Sequence, residues 1–241
     1  MTVIPQRYSG SGKRERVENM FNSIASRYDL LNRVLSGGID KTWRRKSIDY
    51  LVPLQPKSIL DIATGTGDFA LEAVRLHPRE IRGIDISEQM LAIGRKKIAD
   101  RKLDNLITLT RGDSESLQFA DNTFDAVTVA FGVRNFENLQ KGLSEMIRVL
   151  KPGGTVLILE FSQPVTFPVK QFYRFYSRYI LPVIGQLVSK ERAAYEYLPE
   201  SVAAFPYGEQ FVSILRECGY SSPAYHPLTF GIAGIYTGVK K

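Results

Sequence analysis

The sequence predicts a doubly wound α/β fold, with a mostly parallel seven-stranded sheet flanked by helices. Three observations carry that prediction. From Pro56 onward, short β-rich runs alternate with segments of helical periodicity. A Gly-rich turn, "DIATGTGDFA" at 61–70, separates the first run from the helix after it. Acids stand at the ends of the first three runs, at Asp61, Asp85 and Asp113. Strands that alternate with helices imply parallel pairing through right-handed crossovers. A chain of 241 residues can bury the core of one such domain.

The elements follow in order. Val17, Met20, Phe21, Ile24, Tyr28, Leu31 and Leu35 recur at steps of three and four, which predicts one amphipathic helix. Ser36 to Gly38 ends it, and Asp40 is suited to cap a second helix through Trp43 to Leu51. The first strand, "SILDIA", leads through the glycine turn into a helix reaching Leu76. "IRGIDI" is the second strand, and Ser87 is placed to cap the helix that begins "EQMLAIGRKK". "LITLTRGD" and "FDAVTVAF" are the third and fourth strands. Leu139, Leu143, Met146, Ile147 and Leu150 carry helical spacing, and "KPGG" breaks that helix before "TVLILEFS". A region rich in Tyr and Phe then interrupts the alternation. "GEQFVSILRECGY" reads as the last helix, followed by β-like runs near Ala224–Leu228 and Phe230–Val239. The expected organisation is one domain, 1–241. It comprises N-terminal helices over 1–55, an α/β core over 56–162, a helical insertion over 163–207, and the last helix and strands over 208–241.

Composition, 44% hydrophobic and 24% charged, is that of a globular protein. The single cysteine, Cys218, has no partner for a disulfide or a thiolate cluster, which suits a reducing cytoplasm. No run approaches the roughly 18 apolar residues of a membrane-spanning helix, and the N-terminus lacks an apolar signal core. A cytosolic location is therefore expected. The net charge of +7 admits nucleic acid, anionic membrane or acidic substrates as partners. The basic clusters, Arg44 to Lys46, Arg95 to Lys97 and Lys240–Lys241, are short and read as solvated faces or tails.

The glycine turn fits a dinucleotide fingerprint through Gly65, Gly67 and Ala70, and Asp85 could hold the hydroxyls of a ribose. Spacing therefore supports any adenosine ligand. Charge helps to choose among them. A pyrophosphate wants bare N–H groups at the positive end of a helix, whereas Asp61 and Asp68 flank this turn with carboxylates. S-adenosylmethionine carries a sulfonium and an ammonium and no phosphate, so Coulomb attraction favours it, with Asp61 facing its amino-acid end. Asp68 as a helix cap and Asp61 facing away would weaken that argument, and a dinucleotide stays open on this stretch alone. Asp113 could accept a hydrogen bond from an adenine amino group, or simply form a turn.

Three segments carry a resemblance that spans nearly the whole chain. They are "MFNSIASRYDLLNRVLSGGIDKTWRR", "FGVRNFENLQKGLSEMIRVLKPGGTVLILEFS", and "YEYLPESVAAFPYGEQF" with the ending "LTFGIAGIYTGVKK". In these the sequence resembles the UbiE/MenG family of quinone-biosynthesis C-methyltransferases. The resemblance implies a class I S-adenosylmethionine-dependent methyltransferase fold, with the N-terminal helices on the substrate side. It also implies methylation of a ring carbon of a polyprenyl hydroquinone, demethylmenaquinol or the equivalent ubiquinone precursor. Thr66, Asp85 and the Asp113–Ser114 pair match the family's donor-binding positions. Two departures stand out. Ala130 occurs where the family often has Ser, and Asp40 where it commonly has His.

Methyl transfer to carbon is an in-line displacement that needs alignment and help for the phenol oxygen. No nucleophilic triad and no metal cluster is visible in the sequence. Arg134 could stabilise a phenolate and Asn135 orient a ring oxygen; a salt bridge and a helix cap are their structural alternatives. Tyr28 and Asp29 match the signature's "YD" and could close over the substrate, though Tyr28 also lies on an apolar stripe. Tyr195 and Tyr197 could line a ring pocket or simply pack. His77 and His226 each precede proline and read as loop residues. Phe172, Phe175, Tyr176, Tyr179, Ile180, Val183 and Ile184 form an apolar helical stripe beside Lys170, Arg174 and Arg178, with Pro182 expected to kink it. Such a helix suits an anionic bilayer surface, a core cap or a homodimer contact. A nucleic-acid substrate is not expected. "AFGVRNF" stands where amino-methylating base methyltransferases carry a Pro-Pro-aromatic motif, and no aromatic-basic surface is evident.

Overall fold

The computed structural model describes residues 3–180 and 192–241. Its strands are β1 (Ser58–Ile62), β2 (Glu80–Asp85), β3 (Ile107–Arg111), β4 (Phe124–Ala130), β5 (Leu150–Phe161), β6 (Ser221–Leu228) and β7 (Ala233–Val239). They form a seven-stranded sheet in the order β3-β2-β1-β4-β5-β7-β6. The first five pair in parallel, and β7 runs antiparallel between β5 and β6.

The helices are α1 (Lys13–Ile24), α2 (Tyr28–Ser36), α3 (Ile39–Asp49), α4 (Asp68–Ala73), α5 (Glu88–Asp100), α6 (Leu139–Val149), α7 (Val169–Phe175), α8 (Arg192–Ala204) and α9 (Glu209–Glu217). Successive side chains of a strand point to opposite faces, so a strand covered on both sides must be apolar throughout. Every residue of β1 is buried accordingly. Leu60, Ile62, Val127 and Val129 meet Leu143, Met146, Phe211 and Leu215 from α6 and α9. Ile59, Ala126 and Leu157 meet Trp43, Ile48, Phe69, Leu91 and Ile98 from α3, α4 and α5 on the other face. Each fully buried Leu or Ile contributes about 1.5–3 kcal/mol relative to exposure. A third cluster, of Val17, Met20, Ile24, Leu31, Ala194 and Tyr197, joins α1 and α2 to α8.

The chain builds outward from β1 to β2 and β3, then returns to lay β4 beside β1. The crevice beyond the carboxyl ends of β1 and β4 is therefore the switch point where ligands of such sheets bind. Gly132 lets the chain turn away there, because a Cβ on it would stand 2.6 Å from the Cβ of Ala63.

Local structure departs from expectation in several places. The long N-terminal helix is broken by a 3-10 turn at Ala25–Arg27, so α1 and α2 are separate. No glycine or proline marks that break. Asp40 does not cap α3: Gly38 holds the cap position, while Asp40 in the first turn pairs with Arg44 and accepts from Ser36 Oγ at 2.9 Å. Arg44 is accordingly buried rather than solvated. His226 lies on β6 against the Tyr50 ring, centroids 4.5 Å apart, not in a loop. Ser87 caps α5 as its sequence suggests, accepting from the Met90 N–H. In the insertion, α7 continues as a π-helical turn, Tyr176–Ile180. Pro182, Val183 and Ile184 lie outside the described residues, as does the side chain of Tyr195.

Candidate active site

A cavity of about 690 Å³ opens at the switch point, lined by Gly65, Asp85, Asp113 and Ser114 from the strand ends. Arg14, Phe21, Tyr28 and Asn135 close its other side. Gly65 holds a left-handed φ of +56°, and nothing stands within 4 Å of where a Cβ would lie. Its N–H donates to Asp85 Oδ2 at 2.8 Å, and the Ser87 N–H donates to Oδ1 at 2.8 Å. The carboxylate of Asp85 is thus fixed by backbone, and burial lifts its pKa to about 6. Asp113 is held by the Glu115 N–H at 2.9 Å and by Arg14 Nη1 at 2.7 Å.

Of the residues expected to bind the donor, Asp61, Thr66 and Gly67 do not line this cavity. Asp61 is buried between β1 and β4, where Thr64 and Thr128 donate their hydroxyls to its two oxygens at 2.5 and 2.7 Å. Burial raises it to about 6 as well. Thr66 donates to Asp29 Oδ1 at 2.6 Å and accepts from Lys97 Nζ at 2.9 Å. Gly67 is the N-cap of α4, with a φ of +79°. Asp68 pairs with Lys97 at 2.6 Å, and the same lysine pairs with Asp29 at 2.7 Å. The charge argument resting on Asp68 is therefore weakened, since Asp68 is paired with Lys97 and does not line the cavity. The acids that face the cavity are Asp85, Asp113, Glu115 and Glu137.

These contacts also tie the N-terminal helices down over the cavity. Asp29 latches α2 to the glycine turn, Arg14 latches α1 to Asp113, and Glu18 pairs with Arg111 at 2.6 Å. The buried ammonium of Lys13 donates to the carbonyls of Arg134 and Phe136 at 2.9 and 2.8 Å.

A second cavity, of about 1080 Å³, adjoins the first and shares Phe21, Tyr28 and Phe131 with it. Its walls are mostly apolar: Met20, Leu31, Trp43, Phe161, Tyr173 and Tyr197, among others. Two guanidinium groups interrupt them. Arg134 pairs with the fully buried Glu160 at 2.8 Å and lies 5.4 Å from the Phe161 ring centre. Its salt-bridge alternative is thus realised. Yet Arg134 Nε is buried with no hydrogen-bond partner among the described residues, and an orphaned buried donor is costly enough to suggest a ligand. Arg44 lies 5.4 Å from the Phe131 ring centre and pairs with Asp40. Asn135 Oδ1 accepts from Tyr197 OH at 3.0 Å; the helix cap expected of Asn135 is supplied by Asn138. Burial raises Tyr28, and pushes Tyr173 and Tyr197 to about 12, so all three hydroxyls keep their protons near neutrality.

Sequence reasoning missed Ala63 and Phe131. Each follows a central strand in the left-handed region, at φ +51° and +58°, and both line the first cavity. That conformation costs a non-glycine residue about 1–2 kcal/mol, and such outliers cluster at functional sites. Only the register of β1 and β4 exposes them. Arg14 and Phe21 were missed because nothing local says which helix face meets a sheet edge.

The first cavity offers carboxylates, a glycine whose missing Cβ leaves room, and fixed backbone. That donor set fits an adenosine with a cationic tail. The second offers tilted and edge-on aromatic rings and the guanidinium of Arg134, whose Nε lacks a partner, which suits a flat ring bearing oxygens.

Comparison with known proteins agrees with this geometry. A demethylmenaquinone methyltransferase of Bacteroides fragilis is 51% identical over 97% of this chain and 96% of its own. A ubiquinone/menaquinone biosynthesis C-methyltransferase of Geobacter sulfurreducens is 47% identical over 97% and 91%. Among solved structures, a SAM-dependent methyltransferase of Thermotoga maritima, described as a possible histamine N-methyltransferase, superposes with a TM-score of 0.66. It covers 93% of this chain and 99% of its own at 20% identity, a likeness of fold alone. The model of the ubiE/COQ5 methyltransferase family matches residues 10–240, and the chain belongs to that family.

Proposed function

We propose that this protein methylates a ring carbon of a polyprenyl hydroquinone, converting demethylmenaquinol to menaquinol, with S-adenosylmethionine as donor. The observation that carries the reading is the pair of adjoining cavities with shared walls, one acidic and bounded by backbone, the other apolar with an orphaned guanidinium N–H. Relatives named for demethylmenaquinone and for ubiquinone/menaquinone biosynthesis support it. The second of those names keeps the benzoquinol of the ubiquinone pathway as an alternative acceptor.

Asp85 would hold the ribose hydroxyls, and Asp113 with Ser114 the adenine edge. Gly65 leaves space for the chain between them. Asp61, Thr66 and Gly67 would act beneath the surface, holding the glycine turn in shape. S-adenosylmethionine, when bound, supplies a methyl group on its sulfonium. The remaining work belongs to the protein's own residues. Arg134 would donate to the ring oxygen and stabilise the negative charge that develops on it, which makes the adjacent carbon nucleophilic. Asn135, oriented by Tyr197, would fix that oxygen's direction, and Tyr28 would stand between the two cavities. The aromatic walls would hold the ring flat and exclude water.

Among the described residues no helix is long and apolar enough to cross a membrane. The insertion nevertheless exposes Phe167, Phe172, Phe175 and Tyr179 beside Lys170, Arg174 and Arg178. We take this face as a peripheral contact with an anionic bilayer, from which a prenyl tail reaches the apolar cavity. The protein would thus work at the inner face of the cytoplasmic membrane. A dimer through the same face would instead leave vesicle binding unchanged in a Phe172→Asp/Phe175→Asp variant.

The test is direct. Purified protein, labelled S-adenosylmethionine and reduced demethylmenaquinone should yield labelled menaquinol. Label found only in nucleic acid or in a small amine would refute the reading.

A further inference from the structure

Asp40 is the only carboxylate among the described residues that line the apolar cavity. Its side chain is 7% exposed, and the chain supplies it with two partners: Ser36 Oγ donates to Oδ1, and Arg44 Nη1 to Oδ2. A carboxylate offers about four acceptor positions, so two remain for a ligand. The first turn of α3 holds it there, where the helix dipole favours negative charge. Glu160, the other buried acid nearby, has both oxygens engaged by Arg134 and the Phe161 N–H and does not line the cavity.

The other polar groups in the cavity separate a hydroquinone from a quinone less sharply, because a hydroxyl can turn: Tyr197, Tyr176 and Ser36 donate to Asn135, the Leu35 carbonyl and Asp40, and each could redirect that proton to a ligand. The guanidinium groups of Arg44 and Arg134 donate to a phenol oxygen or a carbonyl oxygen alike. The hydroxyls of Tyr28, Tyr173 and Tyr197 both donate and accept. A carboxylate only accepts. It is satisfied by a ring hydroxyl and left facing a lone pair by a ring carbonyl, and buried acceptors left unpaired are costly.

We propose that Asp40, braced by Arg44, reads the redox state of the ring: it accepts a hydrogen bond from the hydroxyl of the reduced acceptor and rejects the oxidised form. The proposal rests on the quinol reading of this cavity. It makes the enzyme selective for the quinol at the binding step, before any methyl donor is present.

Trp43 is the chain's only tryptophan and lines the same cavity, so its fluorescence reports occupancy. The wild-type protein, without donor, is titrated anaerobically with a short-prenyl 1,4-naphthohydroquinone and with the corresponding naphthoquinone. The expected result is that the reduced ring binds about tenfold or more tighter, as for sites built around a substrate hydroxyl. In Asp40→Asn, whose amide can donate to a carbonyl, the ratio should fall to near one, with quinol affinity lost and quinone affinity kept or raised. Because Asp40→Asn leaves Arg44 unpaired, the neutral pair Asp40→Asn/Arg44→Gln is measured alongside, with S-adenosylhomocysteine binding as the check on folding. A folded variant that retains the wild-type ratio overturns the proposal. Equal affinity of the wild type for both rings overturns it too, while leaving the quinol reading intact. If neither ring binds the wild type, the quinol reading itself falls, and the proposal falls with it.

Discussion

The proposed donor cavity is lined on one side by the ends of β1 and β2 and the segment after β3, with α1, α2 and the turn after β4 on the other, whereas the proposed acceptor cavity is lined mostly by side chains from the N-terminal helices and the insertion. In the first, main chain holds Asp85, through Gly65 and Ser87, and shares Asp113 between the Glu115 N–H and Arg14. In the second, each charge is held by another charge, as Arg134 is by Glu160 and Arg44 by Asp40. On the proposed assignment, recognition of the donor draws mainly on the fold, and recognition of the acceptor mainly on individual side chains. A substitution in one cavity, at a residue other than the shared Phe21, Tyr28 and Phe131, should leave the other's ligand nearly untouched, and the predictions below probe that separation.

The largest effect is expected at Arg134. Arg134→Ala should lower kcat about 10²–10³-fold, as loss of an oxyanion donor does, while donor affinity measured by calorimetry changes only a few-fold. The buried Glu160 is left uncompensated, so thermal stability should fall as well, by about 3–5 kcal/mol. Arg134→Lys separates the two effects: it keeps a charge for Glu160 but loses the orphaned Nε. Parallel losses of turnover and donor affinity would mean that the cavities are not separable at this residue.

Next comes Asp85. Asp85→Asn should weaken donor binding about 10–100-fold, the range for a hydrogen bond to a charged group, while naphthohydroquinone still quenches Trp43. A matching loss of quinol binding would break the comparison from the other side.

A pH series sharpens it further. With the Asp85 pKa raised from 3.8 to about 6, the wild-type donor affinity should drop as pH falls through about 6, where the ribose acceptor becomes protonated. In Asp85→Asn that dependence should vanish. Stability runs the other way. A carboxyl raised by burial binds its proton more tightly folded than unfolded, so its contribution is full below about 4 and is lost as pH rises through about 6. Asp61→Asn should flatten that slope in thermal melts without altering the pH dependence of donor binding.

The smallest effect is expected at the latch between α2 and the glycine turn. Asp29 and Lys97 are partly exposed, so Asp29→Ala should cost about 1 kcal/mol or less. Donor affinity should fall a few-fold through faster release, read by stopped flow.

This division also explains what was legible in the sequence. The glycine turn, the strand-end acids Asp85 and Asp113, and the cap Ser87 are local patterns with a fixed relation to the sheet edge, and they were found where the fold puts them. Asp61 and Asp68 carried the right conclusion for an incomplete reason. Sequence counts their charges, but Asp68 is paired with Lys97, and Asp61 is buried against the hydroxyls of neighbouring Thr64 and distant Thr128. The break at Ala25–Arg27 was invisible because tertiary packing imposes it without glycine or proline. The spacing of Asp40 and Arg44 suits a cap and a solvated face; Gly38 at the cap, the Asp40–Arg44 pair and the burial of Arg44 against Phe131 decide otherwise. Such outcomes follow from long-range packing, and periodicity carries no record of it.

Phe21, Tyr28 and Phe131 belong to both cavities. A ligand that fixes these rings from one side changes the work of filling the other side. Thermodynamic reciprocity makes that change equal in both directions. Whatever factor the donor adds to quinol affinity, the quinol adds to donor affinity. The methylated product and the spent donor are linked in the same way through the three shared rings, so the factor that one adds to affinity for the other is lost when its companion leaves.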